Sequence, residues 1–459
     1  MSVTTKDSLL TGRELVLATL QHQRVPSVPW VPFAGVHAGK LTGYTATQLL
    51  TDKNKLVESL LAVNRKYRPD GQPIVFDLQI EAEILGCDVL WAEKGPPTVA
   101  SHPLAFDPIV PTRLPERNEG RLPMILSAMS EMKAAIGQTT ALYGLITGPF
   151  TLASHLRSTE LFMDMYENEE YVHELVRYAA FVNQRMTEFY IDAGMDVIAV
   201  VDPLVSQISP AHFATFLKRP FQDIFSNIGN LGSKSSFFVC GDATKNIEVM
   251  CQTGPDSISI DENINMLAAK TVTDRYNIAL GGNIPLAAVM LFGNQQDNMR
   301  YVIDLLGVLD HHNLILSPGC DMPYDTPVEN VVGISQAIRE PEAVSEMLHH
   351  YHATIDITTV QLPDYSHLPR PLIEVFTIDS STCAACAYML DAAMDAKDAL
   401  GEKIDVVEYR LINRENIARM KQMRLTNVPA MVINGELAFS SIIPGKKELL
   451  SRLEKYLIS

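Results

Sequence analysis

The chain has 459 residues, 47% of them hydrophobic and 20% charged, which supplies a large core and excludes disorder, collagen or a coiled coil as the main plan. Fifty-four acidic against 37 basic residues leave a formal net charge of −17. With no Lys/Arg-rich run, nucleic acid and anionic membrane are poor partners.

No secretory signal is visible, because Lys6, Asp7, Arg13 and Glu14 interrupt the first twenty residues. The longest apolar run, Ile278 to Phe292, holds Gly281, Gly282, Asn283 and Pro285 and is too short and broken to span a bilayer. Six cysteines do not make a disulfide framework. The expected compartment is a reducing cytoplasm, with Cys87 and Cys251 as small core residues.

In chain order, Thr11-Gly-Arg-Glu14 has capping-box spacing. Eight short apolar runs then alternate with helical stretches: Val28–Gly35, Pro73–Leu78, Leu142–Gly148, Met195–Asp202, Ser236–Asp242, Asp256–Asp261, Ile278–Asn283 and Leu314–Cys320. Most read as parallel strands buried on both faces. The first, with Pro29 and Pro32, is the weakest strand candidate. Val172, Leu175, Val176, Ala179, Val182, Met186 and Phe189 mark one helix face, and Gly194 is a C-terminal stop. This alternation favours a (β/α)8 TIM barrel over residues 1–352. An open doubly wound sheet is the alternative, but neither a G-x-G-x-x-G nor a G-x-x-x-x-G-K-[ST] follows any run. Polar residues gather at the run ends: Asp77, Asp202, Cys240 with Asp242, Asp261, Asn283, and Cys320 with Asp321. In a barrel they would converge on the C-terminal face, where active sites sit.

Residues 353–370 read as a linker and 371–459 as a second, smaller α/β domain. Its pattern is βαβαββα, with strands at Leu372–Phe376, Val406–Leu411, Ala430–Ile433 and Glu436–Ser440 and a hairpin turn at Asn434-Gly435. Cys383-Ala-Ala-Cys386 between its first strand and helix reads as a thioredoxin-like redox motif. Cys383 at a helix N-terminus favours thiolate and Cys386 resolves a mixed disulfide. Val428-Pro429 resembles the cis-proline that faces the CxxC in such folds. A zinc knuckle is the rival, without a nearby second ligand pair.

The first 350 residues resemble the uroporphyrinogen decarboxylase superfamily, in its corrinoid (methylcobamide):coenzyme M methyltransferase branch. The resemblance rests on Phe76–Gly86, Gly148–Ala153, Ala193–Ile198 through Asp202-Pro203, Ile208–Phe213, Cys240-Gly241, Ser257–Glu262 and, most distinctively, Ser317-Pro-Gly-Cys-Asp-Met-Pro323. The decarboxylases themselves carry an arginine-rich N-terminal segment, whereas here no arginine lies between Arg24 and Arg65. The methyltransferase branch implies a zinc ion that turns an acceptor thiol into a thiolate, and a corrinoid riding on a partner protein. Its ligands are a His-x-Cys pair on the fifth strand and a cysteine after the eighth. Cys240 and Cys320 match the cysteines, and Phe238 occupies the histidine position. The third ligand is expected from His37 or Glu81. Asp77, Glu81, Asp202 and Asn283 are expected to line and work the pocket, and Asp242 and Asp261 to contact the cofactor. A tetrahydrofolate-methylating branch without metal is a rival, in which Asp77, Asp202 and Asn283 would hold the pterin. A thiol-redox enzyme and a non-catalytic corrinoid-protein chaperone also compete with this reading.

Overall fold

A computed structural model describes residues 10–351, 360–378, 380, 384–425 and 427–457. Seven strands form one parallel sheet: β1 (Gly71–Pro73), β2 (Ala141–Thr147), β3 (Val197–Val201), β4 (Lys234–Phe238), β5 (Ser257–Ser259), β6 (Ala279–Ile284) and β7 (Leu314–Pro318), each beside its sequence neighbour. The first apolar run contributes only a bridge. Its Trp30 pairs in parallel with Leu316, and the amides of Asp70 and Gly71 donate to the Trp30 carbonyl. The segment therefore hydrogen-bonds to both sheet edges and curls the sheet round on itself. Pro29 and Pro32 have no N–H to give, which is why a ladder does not extend from this contact.

Alternation along the strands splits the core in two. Ala141, Tyr143, Leu145, Val197, Ala199, Val201, Phe238 and Ile315 point inward as the barrel's filling. Leu142, Ile146, Ile198, Val200 and Phe237 point outward to the helices. The capping box forms as expected at the start of α1 (Gly12–Leu20). The expected apolar face is buried on the 24-residue α2 (Glu169–Asp192), and Gly194 beyond it has φ +100°. At the N-terminal end of the barrel, Asp196 accepts from Arg13, Lys133 and the Leu142 amide, an ion-pair lock remote from the C-terminal face.

The second run is displaced from its expected place. Pairing ends at Pro73, and the apolar residues that follow pack without a ladder, Val75 toward the helices and Phe76 inward. Among the described residues, no helix is long and apolar enough to cross a membrane.

The C-terminal residues form a separate four-stranded sheet of β8 (Leu372–Thr377), β9 (Asp405–Arg410), β10 (Ala430–Ile433) and β11 (Glu436–Ser440), in the order β9-β8-β10-β11. β8 runs parallel to β9 and antiparallel to β10, and β10 pairs antiparallel with β11. Asn434 and Gly435 both have positive φ, +48° and +81°, as their tight hairpin requires. Helices α3 (Ala384–Leu400), α4 (Arg414–Gln422) and α5 (Lys446–Leu457) complete the unit, and the Val428–Pro429 peptide is cis. Cys383 and residues 353–359 of the expected linker lie outside the described residues.

Candidate functional site

Cys240 follows β4 and Cys320 follows β7, so both fall on the C-terminal rim. Eighty residues apart in sequence, they stand 5.9 Å apart at Cα and are joined as a disulfide. They wall a cavity of about 340 Å³ together with Phe76, Gln79, Asp261 and Asp321.

Phe238 lies one pleat below Cys240 on the same face. Its ring sits 4.8 Å from that of Phe33 and 5.7 Å from that of Phe76, forming a dry aromatic floor under the sulfurs. Among the described residues, the side chains present do not complete the expected zinc site. The position that would carry a ring nitrogen is a hydrocarbon. Among the described residues, no three His, Cys, Asp or Glu side chains converge. His37 is not available as the third ligand either. Its Nε2 meets the Tyr67 hydroxyl at 2.7 Å, its Nδ1 meets the Tyr324 carbonyl at 3.1 Å, and burial lowers its pKa to about 4.

The expected pocket carboxylates are largely occupied in holding the rim together. Asp202, at the end of β3, accepts from the amides of Phe150 and Thr151 at 2.8 and 3.1 Å and from the Thr151 hydroxyl at 2.6 Å. It thereby caps the first turn of the helix Pro149–Arg157 from a neighbouring strand. Glu81 binds the amide and hydroxyl of Thr147 at the end of β2, at 3.0 and 2.9 Å. Burial raises both carboxyls to about 7. Asp77 accepts from Arg121 Nη1 at 2.6 Å, and Arg121 also holds Glu83. The Asn283 amide donates to the carbonyls of Asp261 and Ile264, at 3.0 and 2.7 Å. These four are positioning groups. Asp242 accepts from Thr244 and from Asn427 of the C-terminal unit, the latter at 2.7 Å.

Of the three carboxylates in the cavity wall, Asp325 pairs with Lys94 at 2.8 Å, leaving Asp261 and Asp321. Asp261 Oδ1 takes the Asn263 amide at 2.9 Å, while its buried Oδ2 has no partner within the described protein. Asp321 Oδ1 accepts from the Gly35 amide at 2.8 Å. Burial outweighs that bond and two further backbone donors, and lifts Asp321 to about 8. Glu262, behind Asp261, is raised by burial and by the Asp261 charge. Asp321 is visible in the sequence only as the neighbour of a candidate cysteine. What distinguishes it is Gly35, 286 residues away, whose missing side chain lets the carboxyl sink below the rim. A Cβ on Gly35 would lie 2.5 Å from Asp321 Oδ1.

A family model described as uroporphyrinogen decarboxylase (URO-D) matches residues 11–341, more than half of the chain. A methylcobamide:CoM methyltransferase of Methanosarcina acetivorans is 26% identical over 329 residues, 70% of this chain and 95% of that protein. A second methylcobamide:CoM methyltransferase, from Methanosarcina barkeri, is 28% identical over 270 residues, 57% of this chain and 76% of its own. A uroporphyrinogen decarboxylase of Nostoc punctiforme is 23% identical over 293 residues, covering 62% and 82% respectively. Among solved structures, a methyltransferase from Methanosarcina mazei superposes with a TM-score of 0.67 at 24% identity, over 72% of this chain and 99% of that one. That likeness supports the barrel fold.

Proposed function

The chain belongs to the uroporphyrinogen decarboxylase (URO-D) family, and from that premise we propose that it moves a methyl group between a corrinoid carried by a partner protein and a small thiol acceptor. The observation that carries this reading is the meeting of Cys240 and Cys320 on the rim, with Asp321 beside them in one small cavity. Relatives named as methylcobamide:CoM methyltransferases match 70% and 57% of this chain. A corrinoid-binding protein is the implied partner.

A thiol ionises near pH 8.5 and attacks only as the thiolate. Where relatives of this type are expected to use zinc, the donors here do not fit one, so a protein group must take the proton. Asp321, with a pKa of about 8, is matched to that task as a general base. Phe76, Leu78, Leu286 and Phe292 give the cavity apolar walls that exclude water around the exchanged proton. The corrinoid, when bound, supplies the methyl as an electrophile. Asp261 Oδ2 offers an acceptor with which to orient the thiol's polar tail.

The rivals fit less well. A pterin needs free donors and acceptors at Asp77, Asp202 and Asn283, yet Arg121 and a helix terminus engage the two carboxylates and two carbonyls engage the Asn283 amide nitrogen. A porphyrinogen carries many carboxylates, but the described cavity residues include Asp261, Asp321 and Asp325 against Lys94 as their only lysine or arginine. The C-terminal unit we read as a thioredoxin-like domain, on its strand order, its Pro429 and the Cys383/Cys386 motif.

The test is spectroscopic. Fully reduced protein is mixed with methylcobalamin and a panel of small thiols under anaerobic conditions. Loss of the methyl–cobalt absorbance, with one methyl thioether formed per turnover, is the expected result. Transfer to tetrahydrofolate alone, or no transfer, overturns the proposal.

A further inference from the structure

Asp261 and Cys240 stand level on the barrel rim. β4 and β5 pair in parallel with Phe238 opposite Ser259, and the Val239 amide carries the pairing further by donating to the Ser259 carbonyl at 3.0 Å. Two residues beyond Phe238 and Ser259, the same register sets Cys240 beside Asp261. The Asp261 carboxyl is fixed on one side only. Asn263 holds Oδ1 through its backbone amide at 2.9 Å and through its side-chain amide. Asp261 lines the cavity, is fully buried, and its Oδ2 has no partner within the described protein. A buried carboxylate oxygen without a donor is costly until something supplies one. The cavity wall has no spare cation to offer. Among its described residues Lys94 is the only lysine or arginine, and it lies 2.8 Å from Asp325. Lys40, outside the wall, leans on the Asp325 carbonyl as well. His155 is uncharged at neutral pH, because burial lowers its pKa to about 3. The C-terminal unit adds Ile378, Ile412, Val428 and Pro429 to the wall, all of them apolar. Asp321 is a further carboxyl in that wall, and Glu262 lies behind Asp261. An anionic ligand meets carboxyls here without a counter-charge, whereas a cationic one supplies the donor that Oδ2 lacks.

We propose that Asp261 is a specificity group that receives the ammonium of a small ligand, and that the acceptor is therefore a short aminothiol and not a thiol with an acidic tail. The choice of acceptor rests on the methyl-transfer reading of this cavity, while the ammonium site itself does not. An ammonium brings three N–H donors and a full positive charge. Its hydrogen bond to a carboxylate is about twice as strong as a neutral one. An alkylamine carries that charge at neutral pH, as a lysine does. The ammonium in turn favours the ionised form of Asp261, so that this carboxyl binds and orients without exchanging a proton. Neighbouring strands lie about 4.8 Å apart, so a chain of about two carbons bridges from Asp261 towards Cys240. The apolar walls leave room for such a chain and offer nothing to a second charged group.

The experiment uses the fully reduced full chain and three thioethers of similar size: methylthioethylamine, methylthioethanol and methylthioethanesulfonate. None has a free thiol, so calorimetry reads binding apart from methyl transfer and disulfide exchange. The amine is expected to bind at least ~10-fold more tightly than the sulfonate, since like charges brought together are strongly disfavoured. The alcohol is expected to fall between them. Asp261→Asn keeps the shape of the side chain, removes its charge and is expected to abolish the preference. Equal affinities, tighter binding of the sulfonate, or no binding of any of the three overturns the proposal. So does a preference that survives in Asp261→Asn. Should that variant misfold, the order of affinities in the wild type decides. Rates of methyl transfer from methylcobalamin to cysteamine and to mercaptoethanesulfonate then separate the two readings. Faster transfer to the sulfonate overturns the aminothiol and leaves methyl transfer standing. Selective binding of the amine with transfer to neither thiol overturns methyl transfer and leaves the ammonium site standing.

Discussion

The amide of Gly35 donates to Asp321 Oδ1 across 2.8 Å, and the glycine's bare Cα is what allows the carboxyl to come so close. This pair ties the loop after the Trp30 bridge to the loop after β7. It also holds the carboxyl where burial lifts it to about 8. Below that pH Asp321 is protonated and cannot accept a proton; above it the base is available. The methyl-transfer rate is therefore expected to rise through a limb centred near pH 8. Asp321→Asn should lower the rate about 100-fold, the usual worth of a general base, and abolish the limb. Gly35→Ala should reduce the rate and shift the limb while leaving the far-ultraviolet circular dichroism unchanged.

Stability carries the same signature with the opposite consequence. Glu81 and Asp202 are raised to about 7 and Asp321 to about 8, all by burial, from ordinary values of 4.5 and 3.8. For each, the folded state binds the proton more tightly than the unfolded chain does. The stabilisation is full below the unfolded pKa and is lost as pH rises through the folded one. Thermal melts are expected to fall by several degrees between about pH 5 and pH 8.5. A melting temperature that rises over this window contradicts the placement of these carboxyls.

Phe238 can be converted into a test of the missing metal. Phe238→His recreates the His-x-Cys pattern with Cys240, and with Cys320 reduced it offers zinc three protein ligands. The reduced variant should take up close to one equivalent of zinc by elemental analysis, and the reduced wild type should stay far below it. The cost of placing an imidazole in an aromatic floor is about 1–3 kcal/mol in the absence of metal, read from denaturant unfolding.

The bond from Asn427 to Asp242 joins the two folding units at the cavity edge. Alanine at each position and at both forms a double-mutant cycle. A coupling of about 1–2 kcal/mol in chemical unfolding is expected for a hydrogen bond to a partly buried carboxylate. A coupling indistinguishable from zero would show that the units do not meet there in solution.

Much of the fold was legible because hydrophobic period and turn chemistry act locally. The hairpin at Asn434-Gly435, the cap at Thr11 and the apolar face of Glu169–Asp192 all follow from neighbouring residues, and each forms. The strand after Asp70 was harder to read. Val75 and Phe76 are as apolar as ladder residues but pack without pairing, Val75 toward the helices and Phe76 in the barrel interior. At the site, the run ends share one rim, but the sequence does not show the division of labour within it. Asp202 as a helix cap and Glu81 as a clamp on Thr147 depend on groups about 50 and 66 positions away. His37 has the chemistry of a ligand in sequence, but Tyr67 and Tyr324 occupy both its nitrogens. Such assignments depend on tertiary contacts, which local patterning does not encode.

Because walls from both folding units surround one small chamber, anything lodged inside grips two structures at once. A bound molecule would act as a rivet. Its binding energy would be shared between both units, so that, where the empty protein melts in two heat-absorption peaks, these would draw together into one as the chamber fills.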